Sequence, residues 1–139
     1  IHDEHHPVKI FVAPTMKFME WRVAIQTKNY DYVGRAYGRN ITFSDKVKRQ
    51  QFSPDTLLWQ IKSNPEIRTF LKFSSIYRWQ IRKLDDQTTE IRLIDLRYLN
   101  KGHYSFAAIA HLTQDQKIDH SYIGWVFTEE KLQKKLYSH

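Results

Sequence analysis

Residues 76–127 read IYRWQIRKLDDQTTEIRLIDLRYLNKGHYSFAAIAHLTQDQKIDHSYIGWVF, and this stretch carries the clearest pattern of secondary structure. Apolar and polar residues alternate in four runs, which is the period of half-buried β-strands. The runs cover residues 76–84, 90–98, 104–112 and 118–127. Short polar turns separate them, and strands joined by short turns pair in antiparallel fashion. The sequence therefore predicts a four-stranded meander.

The residues before this stretch predict a smaller β-structure. Trp21, Val23 and Ile25 alternate along one face of a strand over 21–27, and a second strand over 30–39 completes a hairpin. Residues 8–12 predict a short strand. The polar, basic stretch 40–51 predicts the end of a strand followed by a loop.

Three helices are predicted by their start signals. A polar N-cap residue, a proline and an acid occur in that order at Ser53-Pro54-Asp55 and again at Asn64-Pro65-Glu66. Apolar residues then follow at helical spacing. They are Leu57, Leu58 and Ile61 in the first helix, and Ile67, Phe70 and Leu71 in the second. Thr128 precedes a third helix over 129–137, with acids at its start and lysines toward its end.

These elements predict an α+β fold. A curved antiparallel β-sheet, made of the hairpin and the four-stranded meander, is expected to pack against the two short helices, with a C-terminal helix at the end. Residues 1–7 are expected to form a flexible tail, and residues 8–139 a single domain. The side chains expected to contact the two short helices are Trp21, Val23, Ile25, Trp79, Ile81 and Leu93.

Composition excludes several classes of protein. The chain has 139 residues, 41% of them hydrophobic, which is enough to form one packed core. It has no cysteine, so disulfide frameworks, thiolate catalysis and cysteine-based zinc sites are excluded. It also lacks a glycine-rich phosphate loop and a Gly-x-Ser-x-Gly nucleophile motif.

Histidines occur in two groups that could suggest a metal. His2, His5 and His6 lie in the expected tail, where little would fix their geometry. His103, His111 and His120 are spread over the meander. Neither pattern predicts a metal site, and no cofactor is expected in this chain.

Four residues are candidate ligand-binding residues: Arg22, Asp95, Arg97 and Tyr98. Asp95 and Arg97 lie two apart on a predicted strand and therefore project from one face. The pair is expected either to form a salt bridge that fixes the end of the strand or to bind a ligand, with Arg97 as a fork-shaped donor.

The net charge is +7, and two basic clusters are candidates for a membrane-facing surface. They are Lys46, Lys48 and Arg49 in the predicted loop, and Lys131, Lys134 and Lys135 in the C-terminal helix. No motif typical of nucleic-acid-binding domains accompanies this charge, so specific nucleic-acid binding is not expected.

Several short phrases occur in a recognisable order. They are Val12-Ala13-Pro14-Thr15, Trp21-Arg22-Val23, Tyr32-Val33-Gly34, Asp95-Leu96-Arg97-Tyr98 and Gly124-Trp125-Val126. In this order, over residues 8–127, the chain resembles the C-terminal soluble region of the membrane-bound metal-dependent hydrolase family, which is also described as YdjM-like or LexA-binding and associated with the inner membrane.

The resemblance implies a soluble part of a membrane protein, on the cytoplasmic side. A divalent metal would belong to the transmembrane part that precedes it, so this chain alone would be inactive. Its role would be regulation or recognition of a substrate or partner, in contact with the membrane surface or the protein's own transmembrane helices. The alternative is a stand-alone binding module for an anionic ligand or nucleic acid. Substrate and oligomeric state stay open.

Overall fold

The structure is a computed structural model that describes residues 9–50, 61–99 and 105–138. The chain divides into two compact units, residues 1–49 and residues 50–139. The predicted tail over 1–7, the helix start at Ser53 and the apolar residues Leu57 and Leu58 lie outside the described residues. A single domain over 8–139 stays a prediction.

The first unit is a four-stranded antiparallel sheet. Its strands are β1 (Lys9–Pro14), β2 (Glu20–Gln26), β3 (Tyr30–Tyr37) and β4 (Asn40–Lys48), and they pair in chain order. The predicted hairpin is present as β2 and β3. The predicted loop after residue 40 is wrong, because residues 40–48 pair with β3 along their length. Sheet pairing supplies partners for the backbone here even though the side chains are mostly polar and exposed.

A cluster of buried residues lies on one face of the first unit's sheet. Val23, Ile25 and Tyr32 form a buried cluster of their own, with Tyr30 and Ala36 packed against it. Trp21 is 44% exposed, so its prediction as a core residue is wrong. It lies at the beginning of β2, next to the turn. The side chains still alternate between the two faces there, but the Trp21 side chain is no longer covered.

The second unit contains the predicted meander and two described helices. Its elements are α1 (Pro65–Phe73), β5 (Tyr77–Lys83), β6 (Thr89–Asp95), a 3₁₀ turn (Leu96–Tyr98), β7 (Ser105–Leu112), β8 (Ile118–Val126) and α2 (Glu129–Leu136). The sheet order is β5-β6-β7-β8, with every neighbour antiparallel. Together with the sheet of the first unit, these elements confirm the predicted α+β class.

The start of α1 follows the predicted signal. The side chain of Asn64 accepts a hydrogen bond from the backbone nitrogen of Ile67 at 3.1 Å, and Pro65 is the first helical residue. The helix begins at this cap, and its residues Ile67 and Phe70 face the sheet, where both are fully buried.

The sheet of the second unit has a helix on each face. On one face α1 packs on Ile91, Leu93, Ala108 and Ala110, and Trp79 and Ile81 pack against the same cluster, as predicted. On the other face Leu132 and Leu136 of α2 pack on Ile94, Ala107 and Ile109. Because successive strand residues point to opposite faces, β7 contributes to both clusters. The second unit therefore has three layers.

Candidate functional site

Strand β6 ends at Asp95, three residues earlier than its predicted end. The Asp95 carboxylate accepts a hydrogen bond from the backbone nitrogen of Arg97 at 2.9 Å and thereby caps the 3₁₀ turn that follows. The sequence predicted that Asp95 and Arg97 lie on one strand. In the structure Asp95 ends the strand and Arg97 lies in the turn that follows. The turn brings their side chains together instead.

Arg97 is held in one orientation by this carboxylate. Asp95 is completely buried, and its Oδ2 lies 2.7 Å from Nη2 of Arg97, while Oδ1 accepts from Nε at 3.0 Å. Nη2 also donates to the backbone carbonyl of Phe73, at the end of α1. The hydrogen bond to Asp95 raises the pKa of Arg97 above its ordinary value, so the guanidinium stays charged.

Four aromatic rings contact one another in a closed cycle, and this guanidinium lies over two of them. Centroid distances are 6.4 Å for Phe73–Tyr98, 5.5 Å for Tyr98–Trp125, 5.3 Å for Trp125–Phe106 and 5.1 Å for Phe106–Phe73. The guanidinium carbon of Arg97 lies 4.9 Å from the Phe73 centroid and 5.0 Å from that of Tyr98. We call these four aromatic residues and Arg97 the aromatic cluster.

The aromatic cluster is open to solvent on one side. Phe73 is 51% exposed and Trp125 40%, while Tyr98 and Phe106 are half-buried. Phe106 stacks on the buried Phe70 at 6.0 Å, which anchors the cluster to the core. Aromatic and arginine side chains are the types enriched at the centres of protein interfaces. The arrangement can therefore take up an apolar or aromatic group of a binding partner.

The structure brings three of the four predicted ligand-binding residues together: Asp95, Arg97 and Tyr98. The fourth, Arg22, lies on β2 of the first unit, opposite Ala13 and Arg35. Their role in binding stays a prediction. Phe73, Phe106 and Trp125 were not identified from the sequence, since an aromatic residue at the end of an alternating strand or a helix has the same pattern as a core residue.

Some residues of the predicted basic clusters have local partners. Lys46 lies 4.6 Å from the ring centroid of Tyr30, and Arg49 donates to the carbonyl of Thr27 at 2.7 Å. Lys46 and Lys48 belong to β4, so their prediction as loop residues is wrong. Lys131, Lys134 and Lys135 lie on the exposed side of α2, where Lys134 pairs with Glu130 at 3.4 Å.

A second group of functional side chains lies on the face of the sheet that α2 covers. Its residues are Glu90, Arg92, His111, Glu129 and Tyr137, and we call it the polar cluster. His111 is 1% exposed, and its Nε2 lies 3.0 Å from Oε2 of Glu90. Its Nδ1 lies 2.6 Å from the Tyr137 hydroxyl. A neutral imidazole satisfies both contacts when Nε2–H donates to Glu90 and Nδ1 accepts from the tyrosine.

Arg92 completes the polar cluster. Its Nη2 lies 2.8 Å from Glu90, and its guanidinium donates to both carboxylate oxygens of Glu129, at 2.6 and 3.2 Å. Burial raises the pKa of Glu90, but the hydrogen bond with His111 and the charge of Arg92 outweigh burial and lower the pKa below its ordinary value. The hydrogen bond from Arg92 likewise lowers the pKa of Glu129. Both acids are therefore ionised at neutral pH.

The polar cluster connects both ends of α2 to the sheet of the second unit. Glu129 is the first residue of the helix, and Tyr137 is the residue that follows its last turn. Burial raises the pKa of Tyr137, so its hydroxyl stays protonated and is not activated as a nucleophile. The described residues contain no group of three or more His, Asp or Glu side chains arranged to hold a metal ion. Through its contacts the polar cluster clamps α2 to β6 and β7.

Comparison with known proteins gives two family matches. Residues 56–136 match the model described as the YfhP C-terminal alpha/beta plait domain, and residues 4–47 match the YfhP middle domain. A curated relative, "Uncharacterized protein YfhP" of Bacillus subtilis (strain 168), is 44% identical over 136 residues, which cover 98% of this chain. The chain spans about 41% of that relative's length. No solved structure matches the chain.

These matches contradict the family and the function that the sequence predicted. They are to YfhP domains, so the resemblance to a membrane-bound metal-dependent hydrolase is wrong, and the hydrolase-associated role inferred from it is wrong too. The alternative, a module for an anionic ligand or nucleic acid, finds no support in them. The predicted membrane association on the cytoplasmic side is also wrong, because it depended on the same resemblance. Among the described residues, no helix combines the length and the apolar character needed to cross a bilayer.

Proposed function

This chain belongs to the YfhP family, and from that premise we propose that it is a protein-interaction module whose aromatic cluster binds an extended segment of a partner protein. One observation carries the proposal. Four aromatic rings contact one another in a closed cycle, a fixed guanidinium lies over two of them, and two of the four are exposed. Side chains of these types supply most of the binding energy in measured protein interfaces.

The cluster is organised before any partner arrives. Arg97 is fixed by the fully buried Asp95, and Phe106 is anchored against Phe70 in the core. Side chains that are already ordered lose little conformational entropy on binding, a loss that otherwise amounts to about 0.5–1.5 kcal/mol per side chain. Such a surface therefore favours binding even when the contact area is modest.

The expected partner segment is extended and carries proline or aromatic side chains. Aromatic-lined surfaces bind segments of this kind because the rings stack on flat apolar groups. The Arg97 guanidinium lies over the Phe73 and Tyr98 rings and gives this part of the cluster a positive charge.

The proposal is tested by site-specific photo-crosslinking followed by reconstitution. A photoreactive phenylalanine analogue replaces Phe73 in one variant and Trp125 in another, and Tyr37 of the first unit serves as the exposed aromatic control. The two cluster positions should crosslink to the same partner in cells, while position 37 does not. With that partner purified, Trp125→Ala should weaken binding by about tenfold or more, and Tyr37→Ala by less than about twofold.

Circular dichroism of each variant checks that the fold is retained. Crosslinks at positions 73 and 125 that do not exceed those at position 37 would overturn the proposal. So would a purified partner that binds the Trp125→Ala chain as tightly as the parent chain.

A further inference from the structure

We propose that the first unit has a second binding surface, on one face of its sheet, that takes up an acidic amphipathic helix of a partner protein. This inference does not depend on the aromatic cluster. The surface consists of exposed apolar residues that share one face of the sheet, and we call it the apolar sheet face. Its members are Ile10, Val12, Trp21, Ile41 and Phe43.

The strand register places these side chains on one face. Val12 is opposite Val23, which is opposite Gly34, which in turn is opposite Phe43. The neighbouring row runs from Pro14 through Trp21 and Ala36 to Ile41. Residues that are directly opposite one another in antiparallel strands project from the same side of the sheet. The second row is accessible along its length, whereas in the first row only the end residues Val12 and Phe43 are exposed.

The rim of this surface is exposed although its centre is buried. Val23 is 4% exposed, whereas Ile10, Val12 and Ile41 are 60%, 53% and 53% exposed. A sheet normally covers its apolar face with a helix or a second sheet. Residues 9–49 form four strands, and the described part of this unit contains no helix. Contiguous exposed apolar side chains on a folded protein mark a surface that binds something.

The exposed part of the face is long enough for a helix. Gly34 is buried, and Cδ1 of Phe43 lies 3.0 Å from the position of a Cβ on Gly34, so the open part is the row Pro14, Trp21, Ala36 and Ile41. This row crosses four strands about 4.8 Å apart and extends roughly 14 Å, which is between two and three turns of a helix.

The charge around the face selects an acidic partner. Lys46 is opposite Tyr32 and Lys48 is opposite Tyr30, so both lysines project from the side that carries the apolar residues. The acids of β2, β3 and β4 have the opposite parity and project from the other side. They are Glu20, Asp31 and Asp45. Among the described strand residues, the charges on this face are therefore positive only, and an apolar helix flanked by carboxylates is its complement.

The experiment uses the whole 139-residue chain and three labelled peptides. The first is a helix of about 18 residues with Leu at positions i, i+3, i+4 and i+7 and Glu on its flanks. The second has the same composition in scrambled order, and the third has Lys in place of Glu. Fluorescence anisotropy should show that the acidic amphipathic peptide binds at least about tenfold more tightly than either of the others.

Matched variants locate the binding surface. Ile41→Glu puts a charge on the apolar sheet face, and Tyr37→Glu puts the same charge on the opposite face of the same sheet at a side chain that is also exposed. Ile41→Glu should weaken binding by about tenfold or more, and Tyr37→Glu by less than about twofold. Val12→Glu repeats the test on β1 if circular dichroism shows that the Ile41 variant is unfolded.

Charge reversal tests the choice of partner. In the double variant Lys46→Glu and Lys48→Glu, the preference should shift from the Glu peptide toward the Lys peptide, while Lys9→Glu on the other face leaves it unchanged. Equal binding of the scrambled peptide, or equal loss in the Ile41 and Tyr37 variants, would overturn the proposal.

Two further outcomes also count against it. If the free chain is a dimer that Ile41→Glu dissociates in sedimentation, a second copy covers this face. If phosphatidylcholine–phosphatidylglycerol vesicles compete with the peptide, and Ile41→Glu abolishes their binding, a lipid surface is the occupant. Either result would show that the occupant of this face is not a partner helix. The photo-crosslinking at Phe73 and Trp125 is unaffected by both, so the two proposals fail separately.

Discussion

Glu90 lies in the second unit with three positively charged or hydrogen-bonding side chains around it. His111 and Arg92 bond to it directly, and Arg82 lies 3.7 Å away. An ionised acid that is 3% exposed costs free energy unless such partners compensate it. The low pKa of Glu90 shows that the partners outweigh the cost of burial.

We expect acid to unfold the second unit through this residue. The pKa of Glu90 is lower in the folded state than the ordinary value of 4.5. Its contribution to stability is therefore fully present above about pH 4.5 and is lost as the pH falls through the lower, folded-state pKa. In Glu90→Gln the free energy of unfolding at pH 7 should fall by about 1–3 kcal/mol. The difference from the parent chain should shrink as the pH is lowered.

Urea unfolding at a series of pH values from 7 to about 3 measures this difference. Glu130→Gln is the control, because Glu130 is exposed on α2 and its carboxylate pairs only with the exposed Lys134 in the described structure. It should change the stability by less than about 1 kcal/mol. A constant difference between Glu90→Gln and the parent chain across the pH range would show that ionisation of Glu90 does not stabilise the fold.

At the scale of the elements, the pairing of β3 with β4 depends on one glycine. The register shifts between Val33 and Gly34, and the two strands approach closely there. A Cβ atom at position 34 would overlap the carbonyl oxygen of Thr42 and would lie 2.9 Å from the Cα of Phe43. Backbone atoms cannot move aside as the end of a flexible side chain can, so only glycine fits.

We expect Gly34→Ala to separate β4 from the sheet or shift its register. The loss of stability of the first unit should be about 2–3 kcal/mol, a typical cost of overpacking. Gly38→Ala is the comparison, because its Cβ would meet nothing within 4 Å and only its left-handed φ of 60° is unfavourable. That variant should lose about 1 kcal/mol. Amide hydrogen exchange of β4 distinguishes them, and equal protection in both variants would contradict the close approach.

At the scale of the whole molecule, the division into two compact units coincides with the two family matches. The units are residues 1–49 and 50–139, and the matches cover residues 4–47 and 56–136. The second unit has two buried clusters of its own, one under each helix. Among the described residues of the first unit, Val23, Ile25 and Tyr32 form a buried cluster. Independent folding is therefore expected of the second unit.

A fragment of residues 50–139 tests this expectation. It should unfold cooperatively in urea, because apolar area buried on both faces of the sheet offsets the entropy of ordering the chain. Its amide NMR signals should overlay those of the same residues in the 139-residue chain, apart from residues near the new terminus. A fragment that has no cooperative transition would show that the second unit depends on residues 1–49, as a single domain would.

The elements whose signals are local could be predicted from the sequence. The strands of the meander follow from period-2 alternation, and the start of α1 follows from Asn64 and Pro65, because both signals depend on neighbours a few residues away. The full length of strand β4 was not predicted, because its residues are mostly polar and do not show an alternating apolar pattern. They form a strand because they pair with β3. Short phrases such as Gly124-Trp125-Val126 did not identify the family, because local structure alone accounts for three residues of this kind.

The positions of the candidate sites depend on tertiary packing and could not be predicted from local sequence signals. The aromatic cluster joins Phe73 at the end of α1 to Trp125 at the end of β8, and the clamp on α2 joins Glu90 and His111 to Tyr137. These side chains are separated by tens of residues, and no local period records which of them will meet. Whether an aromatic residue at the end of a strand is core or surface depends on what packs over it. That is settled only when the helices and strands have assembled.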